Sequence, residues 1–569
     1  MKSHCLAPLA ILALAVPALA EAPATLVLKN GQVHTPGGWA EAVAVRDGII
    51  VAVGTTSEIA QWSGPATRTL DLAGATVMPG LSDMHVHALF AGLDQFLCSF
   101  PYGATPDIIS AAVTACARTT PTGQWIVGGN WVGAVFQPGQ QSRAFLDAAA
   151  PDHPVLLNDE ARHSVWVNSK ALALAGITRD TKDPPGGRIE RDDGGELTGL
   201  LRENATKLVE KIIPEPSPTD KRRGLVLATN QMLSFGITAF TDATVRVGNM
   251  STLSSLSREG LLKQRVRGCI VWAPGDADGE RLIAERATWA TPRYQTDCVK
   301  IFVDGVPTES RTAAMVAPYA SDPAHGHGML MIPQVQLNAA VARFDAQGLM
   351  VKFHAAGDGA VRAAIDSVAH ARKTNGWGGP MHHVGHNSFV DPTDIPRVRE
   401  LGMAWEFSPY IWYPTPITAV DIVRAVGPDL MQRFIPIRDA VETGALVVAG
   451  SDWSIVPSVN PWIAIETMVT RQKPGGSVET VAPGQRIPID AALRIFTSNA
   501  ASLMGVRQQT GSIDVGMRAD LIVTDSNPYK IPPTHLHKVR VMLTLIDGKT
   551  VYDAENPPQL TAAALQPTP

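Results

Sequence analysis

Six side chains in this sequence are of the kinds that hold a divalent cation or move a proton, and they recur at one kind of place. His85 and His87 close the stretch Pro79-Gly-Leu-Ser-Asp-Met-His-Val-His87. On a β-strand, residues spaced by two share a face, so Asp83, His85 and His87 project together while Val86 packs on the other side. Lys300, His354, His386 and Asp452 follow, each inside or just beyond a short apolar run. Taken singly, each has an ordinary structural alternative: Lys300 a capped charge, His354 a satisfied core histidine, Asp452 a helix N-cap before Trp453. Taken together, imidazole nitrogens and carboxylate oxygens are the ligand set of a catalytic divalent ion such as Zn²⁺.

Such a set needs elements that bring distant positions to one mouth. Strand-like runs are read at Thr76 to Leu81, Gly236 to Thr241, Val266 to Trp272, Cys298 to Val303, Leu349 to Phe353, Met381 to Val384, Gly402 to Phe407 and Ala445 to Gly450. Helical patterns such as Gln336 to Ala346 and Gly359 to Arg372 lie between them. Alternating strands and helices of this number indicate an α/β fold, a (β/α)₈ TIM-type barrel over residues 76–505, with its active site at the C-terminal strand ends. One interval departs from the pattern. Roughly 150 residues, about 89–232, separate the first two strands, far more than a βα connection needs. They are read as an inserted subdomain that leaves the barrel beside His87 and covers its mouth.

Hairpin-like strands with Asn30-Gly31 and Asp47-Gly48 turns precede the barrel, and similar strands around Ala519 to Thr524 and Val539 to Tyr552 follow it. Residues 21–75 and 506–556 therefore form one small discontinuous β-sandwich domain, and 557–569 a loose Pro-rich tail. The chain of 569 residues has room for all of these. A net charge of −5 shows no basic excess to attract nucleic acid, so small-molecule chemistry is expected. Homo-oligomerisation stays open.

Residues 1–20 carry Lys2, an apolar run from Leu6 to Val16, and small residues ending at Ala20, the features of an export signal. The apolar run is too short to span a bilayer. An exported protein, periplasmic or secreted, with no membrane span after signal removal is the expectation. Four cysteines lie beyond that leader, Cys98, Cys116, Cys269 and Cys298. They show no zinc-type spacing and permit three pairings, with free thiols or a single disulfide expected.

Several longer motifs complete the picture: Val77-Met-Pro-Gly-Leu-Ser-Asp-Met-His-Val-His87, Val167-Asn-Ser-Lys-Ala-Leu172, Lys300-Ile-Phe-Val-Asp-Gly305, Ser310-Arg-Thr-Ala313, Gly450-Ser-Asp-Trp453 and Gly511 to Asp520. With them, nearly the whole chain after the leader resembles the amidohydrolase superfamily, and within it the family 3 branch of YtcJ-type proteins and N-substituted formamide deformylases. The resemblance implies a metal-dependent hydrolase of non-peptide carbon-nitrogen bonds with one or two Zn²⁺. It implies that His85 and His87 bind one metal, His354 and His386 the other, that Lys300 bridges as a carbamate, and that Asp452 binds metal and acts as general base. A neutral, buried lysine amine can add CO₂, which gives that step a rationale. His163 and Arg311 are further catalytic candidates, as stabilisers of an oxyanion.

Two departures from the family pattern bear on substrate. Gly385 in His383-Val-Gly-His386 stands where similar proteins carry glutamate, and Val132 after Asn130-Trp131 stands where they carry an acid. His325-Gly-His327 is read as an exposed pair in a Gly/Pro loop. The alternatives are a deaminase of cyclic amidines, disfavoured because Ala355-Ala-Gly-Asp358 after His354 lacks the expected glutamate, and a binding protein on a retained barrel.

Overall fold

The computed structural model describes residues 22–557 apart from 138, 309 and 321–325. The expected leader, nearly all of the expected tail, and His325 of the His325-Gly-His327 pair lie outside the described residues; His327 holds its Nδ1 3.1 Å from the Met315 carbonyl oxygen. Among the described residues no helix is long and apolar enough to cross a membrane.

Both chain ends build one β-sandwich. One sheet runs in the order Ile49–Gly54, Ala42–Arg46, Leu26–Lys29, Arg68–Asp71. The other runs Lys549–Asp553, Val541–Ile546, Leu521–Thr524, Thr76–Pro79, Gln32–Thr35, Gly38–Ala40. Leu28, Val33, Val45, Val77, Leu521 and Leu545 meet between them in a core drawn from both termini. β-branched and leucine side chains alternating along short strands are what such a two-layer core selects.

Thr76–Pro79 was expected to open the barrel, and the structure corrects this. The segment pairs antiparallel with Leu521–Thr524, Val77 opposite Val523, inside the sandwich. The first barrel strand is Leu81–Val86. The change of sheet falls at Pro79-Gly80. Gly80 donates its N–H to Asp520 O on the sandwich side, and the next amide, of Leu81, donates to Gly236 O on the barrel side. A Cβ on Gly80 would lie 2.3 Å from Thr238 Oγ1, so only glycine passes between the two layers.

The barrel strands that follow are Ile237–Val245, Arg265–Val271, Tyr294–Phe302, Met350–Ala355, His383–His386, Ala404–Phe407 and Leu446–Ala449, all parallel and adjacent in chain order. Eight strands closed with intervening helices are the TIM-type architecture expected. Closure runs through the site itself. His87 N donates to Trp453 O at 2.6 Å and Asp452 N donates to His85 O at 2.7 Å. Asp83, fully buried, accepts from both His85 N and Ser451 N at 3.0 Å, tying the first strand to the chain just beyond the eighth. A Cβ on Gly450 would lie 2.2 Å from His85 N, so the seam admits no side chain there. Beneath, Met84, Cys269, Cys298, Met350 and Val448 fill the barrel bottom, plugged by Leu503 and Met504.

Between the first two barrel strands lies a separate six-stranded sheet, from Cys98–Ser99 at one edge to Gly187–Arg191 at the other. Its two layers of core side chains gather around Trp131, Leu157 and Trp166 on one face and Leu156, Val167 and Leu201 on the other. All four cysteines of the described chain are paired, Cys98 with Cys116 and Cys269 with Cys298. The expectation of free thiols or one bridge is thus corrected. Barrel register sets Cys269 opposite Cys298 on neighbouring strands, a relation that spacing along the chain does not display.

Candidate metal centre

His85 sits at the end of the first barrel strand and His87 just beyond it, in the residue that leads into the helix Ala88–Leu93. Lys300 lies on the fourth strand, His354 on the fifth, His386 ends the sixth, and Asp452 follows the eighth. These six side chains line one cavity of about 670 Å³ at the C-terminal mouth. The strand pleat explains the convergence: Lys300 and His354 come from interior-facing positions, and the positive φ of His386 and Asp452 turns the chain at the rim.

Asp452 is the hub. One carboxylate oxygen lies 3.0 Å from His87 Nε2 and 3.5 Å from His85 Nε2, and the other lies 3.8 Å from His386 Nδ1. Lys300 Nζ stands 3.5 Å from His85 Nε2. The ring centroids of His354 and His386 are 4.4 Å apart, and those of His85 and His386 4.7 Å.

The donor set fits a divalent cation. One ligand atom from each of His85, His87 and Asp452 lies within 4.8 Å of the others. Nε2 of His386 is a buried ring nitrogen with no hydrogen-bond partner. The far ring atoms of two of them are held as metal-binding histidines require: His85 Nδ1 lies 2.5 Å from Glu406 Oε1 and His87 Nδ1 lies 2.8 Å from Thr244 Oγ1, whereas His354 Nδ1, 3.3 Å from Asp304 Oδ1, makes no hydrogen bond. Electrostatics agree. Burial, reinforced by nearby positive charge, drives His85, His354 and His386 well below the ordinary histidine range, so their rings are neutral and able to coordinate. Burial and then the Lys352 charge lower Lys300 to about 7, which makes the free amine accessible near neutral pH.

The sequence profile of the amidohydrolase family matches residues 68–552. The chain belongs to the amidohydrolase family. It is 28% identical over 528 residues to the putative amidohydrolase YtcJ of Bacillus subtilis, covering 91% of this chain and 97% of that protein. It is 27% identical over 547 residues to the N-substituted formamide deformylase of Arthrobacter pascens, covering 93% and 98%. Among solved structures it resembles an uncharacterized metal-dependent hydrolase from Pyrococcus horikoshii, with a TM-score of 0.71, 24% identity, and coverage of 90% of this chain and 99% of that one. That last likeness shows the shared fold.

The insert of this amidohydrolase adds His163 to the cavity, its ring centroid 5.4 Å from that of His354. His163 Nδ1 lies 2.8 Å from Glu203 Oε2, and Thr312 donates its hydroxyl to the other Glu203 oxygen. Burial opposes a charge on His163, but the Glu203 carboxylate outweighs it and pushes the pKa up to about 9. The ring is therefore an imidazolium at neutral pH.

Arg311 is placed elsewhere. Its guanidinium donates to Asp421 Oδ1 at 2.6 Å and Oδ2 at 3.2 Å and to Pro307 O at 3.0 Å, and it does not line the cavity.

Sequence reading missed Glu203, Glu406 and Lys352. Glu406 is the one charged residue in its barrel strand and Lys352 stands two before His354 on the same strand face, so both could have been flagged as inward-facing charges. Glu203 carries no comparable signal, since its partners lie far away in sequence.

The cavity has two unlike walls. Trp412, Ile417, Phe434 and Ile435 from the segment after the seventh strand, with Val456 from the segment after the eighth, make one of them apolar, while Glu160, Arg162 and Glu210 from the insert make the other polar.

Proposed function

We propose that this amidohydrolase is an exported hydrolase that cleaves a carbon-nitrogen bond other than a peptide bond, in a small substrate such as an N-substituted amide or formamide. The observation that carries the reading is the meeting of His85, His87 and Asp452 on the cavity floor, within 4.8 Å. The name of the Arthrobacter relative supports the substrate class, and the leader read at Lys2 to Ala20 together with two disulfides supports export to an oxidising compartment.

His85, His87, Lys300 as a carbamate, His354, His386 and Asp452 would hold one or two divalent ions, most simply Zn²⁺. Bound there, the metal supplies Lewis acidity toward the carbonyl and acidifies water. Asp452 takes the proton of the attacking water and returns it to the departing nitrogen; burial raises its pKa and the hydrogen bond to His87 lowers it. His163, charged through Glu203, offers a donor to the oxyanion that develops on the carbonyl. The apolar wall seats one substituent of the amide and excludes bulk water, while the insert wall accepts the polar end. A volume of about 670 Å³ suits a substrate of ordinary small-molecule size.

The test is metal analysis of the purified protein coupled to a panel of N-substituted formamides, amides, esters, lactones and cyclic amidines. Stoichiometric metal with formamide or amide turnover is expected. Metal-replete protein that turns over nothing in the panel would overturn the reading, and ammonia release from cyclic amidines alone would replace it with deamination. N-terminal sequencing of the mature protein checks export, with a start near Glu21 expected.

A further inference from the structure

Glu406 lies on the seventh barrel strand with its side chain fully buried, directly behind the metal centre. Its Oε1 lies 2.5 Å from His85 Nδ1. Its Oε2 accepts from Lys352 Nζ and lies 3.1 Å from His383 Nε2. A neutral imidazole carries one N–H. Committing that hydrogen to Nδ1 leaves the lone pair on Nε2, the atom that faces Asp452.

Two further features keep this carboxylate where it is. Lys352 is anchored on the other side by donating to Met84 O at 3.0 Å, so its ammonium joins the fifth strand to the first and neutralises Glu406 inside the barrel. Gly385, on the sixth strand, makes the room. A Cβ at that position would lie 3.1 Å from Glu406 Oε1 and 2.9 Å from Phe353 O, so a larger side chain would press on the carboxylate. The glycine noted in His383-Val-Gly-His386 is thus the space through which a neighbouring strand reaches His85.

We propose that Glu406 is the positioning residue of the metal centre, fixing the tautomer and ring orientation of His85, with Lys352 as the counter-ion that allows it to remain buried. The inference rests on the reading of His85 as a metal ligand. Glu406 touches no reacting atom and acts only through that ring.

The test measures Zn²⁺ affinity by competition with a chromophoric chelator, alongside thermal unfolding. The proteins compared are wild type, Glu406→Gln, and the double variant Lys352→Met/Glu406→Leu. Glu406→Gln is expected to weaken Zn²⁺ binding about 10- to 100-fold. The double variant removes both buried charges together, so its thermal midpoint is expected to return toward wild type while Zn²⁺ binding stays weak. That separation distinguishes positioning from simple support of the fold. Wild-type affinity in Glu406→Gln, or affinity that recovers with the midpoint in the double variant, would overturn the proposal. Wild-type protein that takes up no Zn²⁺ would overturn the ligand reading first, and this inference with it.

Discussion

His163 Nδ1 and Glu203 Oε2 stand 2.8 Å apart, and both belong to the insert rather than to the barrel whose mouth they face. The Thr312 hydroxyl, from the segment after the fourth barrel strand, binds the free oxygen of the same carboxylate. A Cβ on Gly305 would lie 2.0 Å from Thr312 Oγ1 and 2.5 Å from Glu203 Oε1, so the junction between insert and barrel is closed to any larger residue. The insert is therefore part of the site and not merely a cover over it.

Replacing Glu203 by glutamine removes the charge that holds His163 as an imidazolium. We expect kcat/KM to fall about 100-fold, the lower end of what one oxyanion donor contributes. Metal content should stay at the wild-type level, because neither residue is proposed as a ligand. Steady-state kinetics on an N-substituted formamide with parallel metal analysis would decide it, and loss of metal in Glu203→Gln would contradict this assignment.

Lys300 and Asp452 should fail in different ways. Lys300→Ala is expected to hold at most one metal per chain, since the bridging group is gone, whereas Asp452→Asn is expected to lose turnover by about 100-fold or more as the proton acceptor disappears. Inductively coupled plasma measurement of metal per chain, with kinetics on the same samples, makes the comparison. Two metals retained in Lys300→Ala would remove the carbamate bridge from the mechanism.

Arg311 and Asp421 form a largely buried ion pair, each with a side chain about one-tenth exposed. Breaking such a pair from one side leaves an uncompensated buried charge and costs about 3 kcal/mol. Arg311→Met should show this in chemical denaturation, and Arg311→Met/Asp421→Leu should recover much of it. A large loss of kcat in the double variant at normal stability would return Arg311 to the list of groups acting on substrate.

Acid should weaken the fold through His382, outside the metal centre. Its Nδ1 accepts the Val351 N–H at 2.9 Å and its Nε2 lies 3.0 Å from Asp345 Oδ1, so both nitrogens are committed in the neutral ring. Burial lowers its pKa, with the Asp345 hydrogen bond opposing and the Arg372 charge assisting. A folded-state pKa below the unfolded one means that the unfolded chain takes up the proton first. The contribution is complete above the ordinary histidine value of about 6.5 and is lost as pH falls through the lowered value. Thermal midpoints measured from pH 8 down to pH 5 should fall more steeply for wild type than for His382→Gln. Parallel curves would show that His382 carries none of the acid sensitivity.

The barrel was legible because its strands are short apolar runs at regular spacing, and the site because histidines and an aspartate fall at their ends. The first strand was misplaced because Thr76–Pro79 and Leu81–Val86 follow each other almost without a break and are equally buried, and periodicity does not tell which sheet a strand joins. The same limit hid Glu406. Its meaning depends on Lys352 and Gly385 on two neighbouring strands, relations that exist only once the barrel closes. Arg311 drew attention through its motif, but its charge is answered by Asp421, 110 residues away. Two disulfides were likewise hidden, since pairing depends on strand register and helix docking rather than on spacing.

The sandwich built from both termini also sets a timetable for synthesis. Asn527 donates to Gln32 across a separation of 495 residues, and Leu521–Thr524 is the strand against which Thr76–Pro79 lies. At roughly 5–20 residues per second, the opening strands emerge roughly 25 to 100 seconds before the partners that complete their sheet. Throughout that interval the edge of Thr76–Pro79 is open to other chains. The newly made protein is thus most exposed to aggregation at its beginning, and a chain that stops short of Leu521 never escapes that state, however well its barrel has formed.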